Sequence, residues 1–521
     1  MRSITDITGY HEALASFSKE QLWALFDGNR SDLNIGHECI DRHPPDRLAV
    51  HIIDSKGHDE RYTFGELRIW SNRFANYLTT LEVARGSPIA IMLEPSLAFY
   101  ASLFGSMKAG CIAVPMFTLF GPEGMRLRLD DCAPKLFLGS ASNVKPLGEV
   151  VGRQHVVVDD DFMAILAAQS SDYDLSTSAD DMAVYQYTSG TTRQLPEAIE
   201  HRHRAIVTVI LAALYGTGVR PHDHLCCPSS PAWGHGLWHG TLAPLAMGAS
   251  VSSYRGKFDP LRLFEALEQS AINNLSAAAT HYRMLRQCPR SKEFRHSIEK
   301  LSFTGEPIDS ETASWVADHF GQPACSIYGT TEVGVILVSY PGAKDFEVKP
   351  EALGKPIPGR EVAIIDESGE QTTPGVKGEI VVRRGNDWFK TKDIGYTDEE
   401  GYFYHAGRAD DVIISAGYTM SAVEIEDVLL QHNDVSEVAV VALPDANRGQ
   451  IPKAFVVSLR NGDNQFVEEL QELARTRLSL HEYPRAVTFV DSLPKLPAGK
   501  INRKALREYV PTSTQNSARG T

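Results

Sequence analysis

The chain has 521 residues, of which 43% are hydrophobic and 22% are charged. This composition is typical of a globular protein with a large core, and it excludes collagen, a coiled coil and wholesale disorder. The length favours about three domains, or one large α/β body with a smaller domain. The net charge of −15 argues against a broad nucleic-acid footprint and against adhesion to anionic membranes.

Seven cysteines are scattered along the chain without a CxxC pair, which argues against a disulfide framework or a zinc site. The N-terminal segment up to Phe26 is polar, without the basic and apolar regions of a signal peptide. No window of about 18 residues is apolar throughout, so we expect no membrane span. The sequence therefore predicts a cytoplasmic protein.

Strands and helices alternate in the first part of the chain. Thr63, with Glu66 three residues later, forms a capping box that predicts the start of an amphipathic helix. The run 88–95 predicts a strand, 96–110 a helix closed by Gly110, and 111–116 another strand. Strand, helix and strand at this spacing indicate a βαβ unit. Because the pattern recurs further along the chain, the sequence predicts parallel sheets.

The pattern changes after about residue 345, where short alternating strands are separated by Gly and Pro turns. The runs 360–366 and 378–384 are of this kind, which is typical of antiparallel sheets. From residue 410 onward, helix-like and strand-like runs predict a compact α+β unit. The polar tail 511–521 is predicted to be disordered.

The segment Tyr187–Thr192 contains a glycine among serine and threonine residues. It follows a strand-like run, and the run 201–214 after it predicts a helix. Backbone N–H groups and hydroxyls in such a loop can hold a polyphosphate. An ordinary polar loop is the alternative, and the segment is not a Walker A loop because it lacks GxxxxGK[ST].

Six further motifs follow in chain order: Gly305–Pro307, Tyr328–Glu332, Gly354–Gly359, Thr391–Gly395, Gly407–Asp411 and Leu493–Arg503. Together with the loop they resemble the acyl-adenylating superfamily of acyl- and aryl-CoA ligases, peptide-synthetase adenylation domains and luciferase. The resemblance spans residues 40–508 approximately. Phe120–Glu123 and Glu200-His201 favour the branch of acetyl-CoA and medium-chain acyl-CoA synthetases.

The resemblance implies an α/β fold with a large N-terminal domain and a small mobile α+β C-terminal domain. The large domain would hold parallel α/β subdomains and a β-barrel-like antiparallel part. The implied boundaries are 1–409 for the ATP- and acid-binding domain and 410–521 for the mobile domain.

The resemblance also implies a reaction in two steps. The acid carboxylate would attack the α-phosphorus of ATP to give acyl-AMP and pyrophosphate, and the CoA thiol would then attack the mixed anhydride. The implied catalytic residues are Lys500, Glu332 and Thr188, with Glu332 as a ligand of Mg²⁺. Rotation about the hinge Asp410 would withdraw Lys500 and bring in the loop 416–418.

The residues implied to bind ATP or CoA form a longer set: Ser189, Gly190, Thr191, Thr192, Arg193, Gly305, Glu306, Pro307, Tyr328, Gly329, Thr330, Thr331, Asp393, Arg408 and Gly417. The chain departs from the family pattern within the loop. Arg193 stands where a glycine is expected, and Glu197 stands where a lysine is usual. We hypothesise that Arg193 supplies the missing positive charge, since a guanidinium pairs well with phosphate.

The segment 229–248 matches the region that lines the acid pocket in the family. Trp233, His235 and Trp238 are therefore candidate pocket residues, with core packing as the alternative. Relatives restricted to acetate carry a tryptophan at the position of Gly329, so we expect open volume there. The resemblance thus implies an acid larger than propionate, whether medium-chain, alicyclic or aromatic.

The leading interpretation is an AMP-forming acid:CoA ligase that uses ATP, Mg²⁺ and coenzyme A. Its partners would be small molecules, with no nucleic acid, and the chain is compatible with a homo-oligomer. One alternative is an adenylating enzyme that loads a separate acyl carrier protein. Another is a nucleotide-binding homologue with weakened catalysis, for which the altered loop at Arg193 and Glu197 is the support.

Overall fold

The computed structural model describes residues 3–148, 154–187, 197–305, 308, 310–330, 332–366, 368–408, 412–494, 501 and 503–508. These residues form two compact units. Unit 1 comprises the described residues of Met1–Thr118, Cys132–Gln186 and Ile199–Ala409. Unit 2 comprises those of Leu119–Asp131, Tyr187–Ala198 and Asp410–Thr521.

The strands of the described part of the chain are β1 Leu48–Asp54, β2 Glu60–Thr63, β3 Pro88–Met92, β4 Ile112–Pro115, β5 Leu136–Gly139, β6 Gln154–Val157, β7 Met182–Tyr187, β8 Ala198–Arg202, β9 His224–Cys227, β10 Ser250–Arg255, β11 Asn274–Ala278, β12 Lys300–Thr304, β13 Ala324–Thr330, β14 Gly334–Val338, β15 Ala352–Pro356, β16 Val362–Ile365, β17 Gly378–Arg384, β18 Asp387–Thr397, β19 Phe403–Arg408, β20 Val412–Ser415, β21 Tyr418–Ser421, β22 Val435–Asp445, β23 Gly449–Ser458 and β24 Ala486–Phe489.

The α-helices of the same residues are α1 Tyr10–Ser16, α2 Lys19–Trp23, α3 Phe64–Thr80, α4 Leu97–Lys108, α5 Pro122–Cys132, α6 Ala141–Val144, α7 Asp160–Ala167, α8 Ala205–Leu211, α9 Ala243–Ala246, α10 Pro260–Gln269, α11 Ala279–Arg286, α12 Ser310–Phe320, α13 Ala422–Leu429, α14 Asn464–Arg477 and α15 Arg503–Arg507. Short 3₁₀ segments lie at Ile4–Asp6, Lys145–Leu147 and Ser291–Glu293, and π-helical segments at His37–Asp41, Ala212–Gly216 and His235–Leu242.

Two large sheets organise unit 1. One has six strands in the order β6-β5-β3-β4-β7-β8, and β3 pairs in parallel with both β4 and β5. The other has thirteen strands in the order β16-β17-β18-β19-β15-β14-β13-β12-β11-β9-β10-β1-β2. Parallel pairing dominates from β12 to β1, whereas β13 to β19 pair antiparallel. The α/β fold with an antiparallel part is confirmed, and the antiparallel strands extend the larger sheet.

The capping box at Thr63 is confirmed. The Thr63 hydroxyl accepts a hydrogen bond from the Glu66 amide at 3.2 Å, and the Glu66 carboxylate accepts one from the Thr63 amide at 2.8 Å. These reciprocal bonds satisfy N–H groups that the first turn leaves unpaired. The βαβ unit predicted over 88–116 is present as β3, α4 and β4.

One predicted helix begins later than its sequence pattern indicates. The run 201–214 was expected to be helical throughout, but His201 and Arg202 end strand β8 and α8 begins at Ala205. His203 explains the break, because its Nδ1 accepts a hydrogen bond from the Ile35 amide at 3.0 Å. This buried tertiary contact fixes the chain before the helix starts.

Unit 2 is an α+β unit, as predicted for the region after residue 410. Its sheet has the order β22-β23-β24, its hairpin is β20–β21, and α13 and α14 pack in the same core. Helix α5 joins this unit, although it lies far earlier in the sequence. The Gly121 amide donates to the Leu478 carbonyl at 3.2 Å, and a Cβ on Gly124 would overlap that same carbonyl. The division of the chain at residue 410 stays a prediction.

Candidate active site

Tyr328 and Asp393 meet in unit 1. Tyr328 lies near the end of β13, and Asp393 lies in the middle of β18. The Tyr328 hydroxyl donates to Asp393 Oδ2 at 2.6 Å. The structure therefore joins two of the predicted nucleotide-binding motifs, Tyr328–Glu332 and Thr391–Gly395, through one short hydrogen bond.

Neighbouring groups fix the orientation of the Asp393 carboxylate. The Thr391 hydroxyl donates to the Ile380 carbonyl at 2.7 Å and accepts from the Asp393 amide at 3.2 Å. His405 Nε2 lies 3.4 Å from Asp393 Oδ1. Asp393 is buried, with 4% of its surface exposed. A buried carboxylate held from several sides is pre-organised to accept hydrogen bonds from a ligand.

Lys392 has a backbone conformation that favours glycine. Its backbone has φ +64°, in the left-handed region that favours glycine. Its amide donates to the Glu379 carboxylate at 3.0 Å, which holds this conformation. The lysine side chain is exposed, whereas the neighbouring Asp393 is buried.

Thr330 ends β13 with a buried hydroxyl that has no hydrogen-bond partner. A buried hydroxyl without a partner costs free energy, so it points to a missing ligand atom. Glu332 is exposed in the turn that follows. Gly305 directly follows strand β12 with φ +93°, a conformation that favours glycine.

Gly329 does not leave the open volume that its sequence predicts. A Cβ at this position would overlap the carbonyl oxygen of Gly334 and crowd the Cα of Val335 at 2.7 Å. The close approach of β14 therefore fills the space on the side where a side chain would project. The glycine is required by the hairpin, and a bulky residue here would displace β14.

Trp238 and His235 are both buried on the helical segment His235–Leu242. The indole Nε1 of Trp238 donates to Gln186 Oε1 at 2.8 Å. His235 Nδ1 lies 3.1 Å from Ser229 Oγ, and its Nε2 lies 2.8 Å from Ser276 Oγ. These bonds hold both rings in fixed orientations. Trp233 is half-buried and meets His235 edge to face at 5.7 Å.

The histidines in this region are neutral at pH 7. Burial lowers the pKa of His235 well below its usual value, and the neighbouring His239 and His281 lower that pKa further. Burial alone lowers the pKa values of His201, His239 and His281 to about 4. The region therefore offers uncharged imidazoles, each of which can donate one hydrogen bond and accept another.

In unit 2, Gly417 lies in the turn between β20 and β21 with φ +77°. The preceding Ala416 also has a positive φ, +53°, and its amide donates to the Arg448 carbonyl at 2.9 Å. The ring of Tyr418 lies 4.3 Å from that of His481. The predicted loop 416–418 is thus a tight turn with its backbone held from outside.

Several predicted site residues lie outside the described residues: Thr188, Ser189, Gly190, Thr191, Thr192, Arg193, Glu306, Pro307, Thr331, Asp410 and Lys500. Their roles stay predictions. Arg408 is described for its backbone, which pairs with Asp393 across β18 and β19.

The sequence did not single out His405, Gln186 or His239. His239 follows His235 by four residues, so helical spacing was a usable signal. No local sequence pattern pointed to His405 or Gln186, because their contacts depend on strand register. Among the described residues, no cluster of three or more His, Cys, Asp and Glu could hold a metal ion, and no helix is long and apolar enough to cross a membrane.

Comparison with known proteins identifies the family. A family model described as AMP-binding enzyme matches residues 37–390, and one described as the C-terminal domain of AMP-binding enzymes matches residues 424–500. Acetyl-coenzyme A synthetase of Bacillus subtilis (strain 168) is 29% identical, over 92% of this chain and 90% of its own. The uncharacterized acyl-CoA ligase YtcI of the same organism is 32% identical, over 89% and 93%.

A solved structure is also similar to this chain over nearly its whole length. The crystal structure of an acyl-CoA synthetase from Brucella canis has a TM-score of 0.72 and 28% identity, covering 96% of this chain and 99% of its own. The chain therefore belongs to the AMP-binding enzyme family, among the AMP-forming acyl-CoA synthetases and ligases.

Proposed function

We propose that the chain is an ATP-dependent acid:CoA ligase that converts an acid larger than propionate into its CoA thioester through acyl-AMP. Its small-molecule partners are the acid, which is medium-chain, alicyclic or aromatic, together with ATP and CoA. The observation that carries this proposal is the buried Asp393 carboxylate, held by Tyr328 and His405, together with the unpartnered hydroxyl of Thr330 at the end of β13.

The Asp393 carboxylate is the proposed acceptor for the ribose hydroxyls of ATP. Two carboxylate oxygens suit two adjacent hydroxyl donors. The Tyr328 ring would lie against the adenine while its hydroxyl keeps the carboxylate oriented. Gly305 would allow the backbone to approach the flat base closely.

Thr330 is the described residue best suited to a phosphate oxygen, because its buried hydroxyl lacks an acceptor. Glu332 would hold the Mg²⁺ that accompanies ATP, since Mg²⁺ prefers oxygen ligands and the carboxylate is exposed. The ion would offset negative charge on the pyrophosphate. Thr188–Arg193 would contribute further phosphate contacts, with Arg193 replacing the charge of the usual lysine.

Lys500 is the proposed residue that bridges the acid carboxylate and the α-phosphate during adenylation. A cation at this place would reduce the repulsion between two anions. Gly417 would then line the path of the CoA pantetheine in the second step, with Asp410 as the hinge.

The size of the acid rests on the side chains near the candidate acid pocket. Gly329 adds no pocket volume, so the proposal depends on Trp233, His235 and Trp238, which supply flat apolar and polar surfaces. Flat aromatic surfaces suit ring or chain acids better than acetate. Because one methylene changes binding by about 1–3 kcal/mol, we expect a range of acids to react.

The test measures AMP and pyrophosphate release with ATP, Mg²⁺ and acids from acetate through octanoate, benzoate and cyclohexanecarboxylate. We expect sustained turnover that requires CoA, with a higher kcat/KM for the larger acids than for acetate. Release that stops near one equivalent and ignores CoA would instead indicate loading of a carrier protein. Acetate as the best substrate would contradict the proposed acid class.

Asp393→Asn should raise the KM for ATP by at least about tenfold, because an amide replaces one acceptor with a donor. Asp398→Asn is the matched control. Asp398 lies on the same stretch of chain and pairs with Lys349 at 2.9 Å, outside the candidate site. Equal KM values for ATP in the two variants would contradict the proposal that Asp393 binds the ribose.

A further inference from the structure

Three half-buried histidines, His201, His239 and His281, lie near Trp238 and His235. His235 and His239 lie one helical turn apart, with ring centres 6.3 Å from each other. The ring of His201, at the end of β8, lies 4.8 Å from the indole of Trp238. His281 lies in the first turn of α11, where it contributes to the lowered pKa of His235.

These histidines differ in how their nitrogens are satisfied. Both nitrogens of His235 have serine partners, and His281 Nδ1 accepts from the Ala278 amide at 3.3 Å. By contrast, His239 Nδ1 and His201 Nε2 are buried without a hydrogen-bond partner. Each of the two residues as a whole is half-buried. Packing alone does not explain two unpaired polar atoms beside one tryptophan.

An uncharged partner would suit His239 Nδ1 best. A neutral imidazole carries one N–H donor and one lone pair, and either one can lie at Nδ1. A hydroxyl complements both forms, because it can donate and accept. A carboxylate could only accept, and a compensating positive charge would require protonation of an imidazole whose pKa burial lowers to about 4.

We propose that the acid substrate carries a hydroxyl group on its acyl portion, and that Nδ1 of His239 binds this hydroxyl. This inference rests on the proposed function, because it takes the segment that contains Trp233, His235 and Trp238 as the acid pocket. His201 Nε2 is the second free nitrogen and would bind a hydroxyl at another position of the same acid. His239 is then a specificity residue that does not touch the reacting carboxylate.

The test compares matched acids that differ only by a hydroxyl. Suitable sets are benzoate with its three monohydroxy isomers, and butanoate to octanoate with their monohydroxy derivatives. We expect at least one hydroxy acid to exceed its parent by about 10- to 100-fold in kcat/KM, because the parent leaves Nδ1 unpaired. A preference for the parent acid in every set would overturn the inference.

Two substitutions at one position separate hydrogen bonding from folding. His239→Leu should bring the ratio of hydroxy acid to parent close to one, mainly through a fall in kcat/KM for the hydroxy acid. His239→Asn places an amide near the position of Nδ1 and should keep part of the preference. The Tm of both variants shows whether they fold. An unchanged ratio in folded His239→Leu would also overturn the inference.

These outcomes are distinct from failure of the proposed function. If no acid gives CoA-dependent AMP, the ligase proposal fails, and the hydroxyl inference fails with it. If acids react but the hydroxyl gives no advantage, the ligase proposal stands and only the role of His239 is lost.

Discussion

At the scale of single residues, the Tyr328 hydroxyl connects two segments that are 65 positions apart in the sequence. The sequence predicted both Tyr328 and Asp393 as nucleotide-binding residues, because each lies in a recognisable motif. It did not predict that they contact each other, or that His405 faces Asp393. The His405 contact lies next to a register shift between β18 and β19 at Ile394 and Gly395, which no local pattern encodes.

Tyr328→Phe tests this contact. The change keeps the ring but removes the donor to the buried Asp393 carboxylate, a bond of the kind worth about 1.5–3 kcal/mol. We expect the KM for ATP to rise at least about tenfold with a smaller change in the KM for the acid. Tyr404→Phe is the matched control, since it removes a tyrosine bond to Asp398 at 3.2 Å in the same sheet. Similar effects of the two changes on the KM for ATP would count against a nucleotide role for Tyr328.

At the scale of elements, most strands and helices follow their sequence patterns, but two boundaries do not. Helix α8 begins at Ala205 because the buried His203 takes part in a tertiary hydrogen bond. Strand β13 continues through Tyr328 to Thr330, although the sequence pattern predicts a strand only over 324–327, before the motif Tyr328–Glu332. The start of α8 is set by a partner distant in sequence and the end of β13 by pairing with β14, so local propensity alone could not place either boundary.

The β13–β14 hairpin leads to a second prediction. Gly329→Ala should lower the free energy of unfolding by up to about 3 kcal/mol, because the new methyl group meets backbone atoms of β14. Gly334→Ala, at φ +71° with open space around it, should cost only about 1 kcal/mol. Thermal unfolding of the two variants gives the comparison. A smaller loss of Tm in Gly329→Ala than in Gly334→Ala would show that β14 moves aside.

At the scale of the whole molecule, the alternation of strands and helices predicted the α/β class and the later antiparallel part. The order of thirteen strands in one sheet was beyond prediction, because it is fixed by contacts between segments far apart in sequence. The sequence also did not predict that helix α5 belongs to unit 2. Its sequence reads as one more helix of the N-terminal α/β pattern.

Buried neutral histidines are spread over the molecule and make its stability depend on pH. Burial lowers the pKa of His203, His224 and His281 to about 4, below the usual value of 6.5. Above pH 6.5 these groups are neutral both folded and unfolded. Between pH 6.5 and 4 the unfolded chain binds more protons, so the free energy of unfolding falls as the pH falls. Each such group contributes about 1.4 kcal/mol per pH unit in this window.

We therefore expect the Tm to be nearly constant from pH 8 to 7 and to fall steadily below about pH 6.5. His203→Asn should reduce this slope, because an amide oxygen can still accept from the Ile35 amide but does not titrate. Thermal scans of both proteins at a series of pH values provide the measurement. If the Tm falls equally with pH in both proteins, His203 does not contribute to the acid sensitivity.

The placement of helix α5 has a consequence for chimeric proteins. Residues 119–131 pack with Leu478 and its neighbours. A chimera that exchanges only the C-terminal segment would therefore combine residues 119–131 of one parent with the C-terminal segment of the other parent. The overlap at Gly124 leaves no space for even one additional carbon, so both sides of this junction must come from one parent. A recombination boundary drawn at a single point in the sequence would thus divide a structural unit, whereas a two-segment exchange would keep it whole.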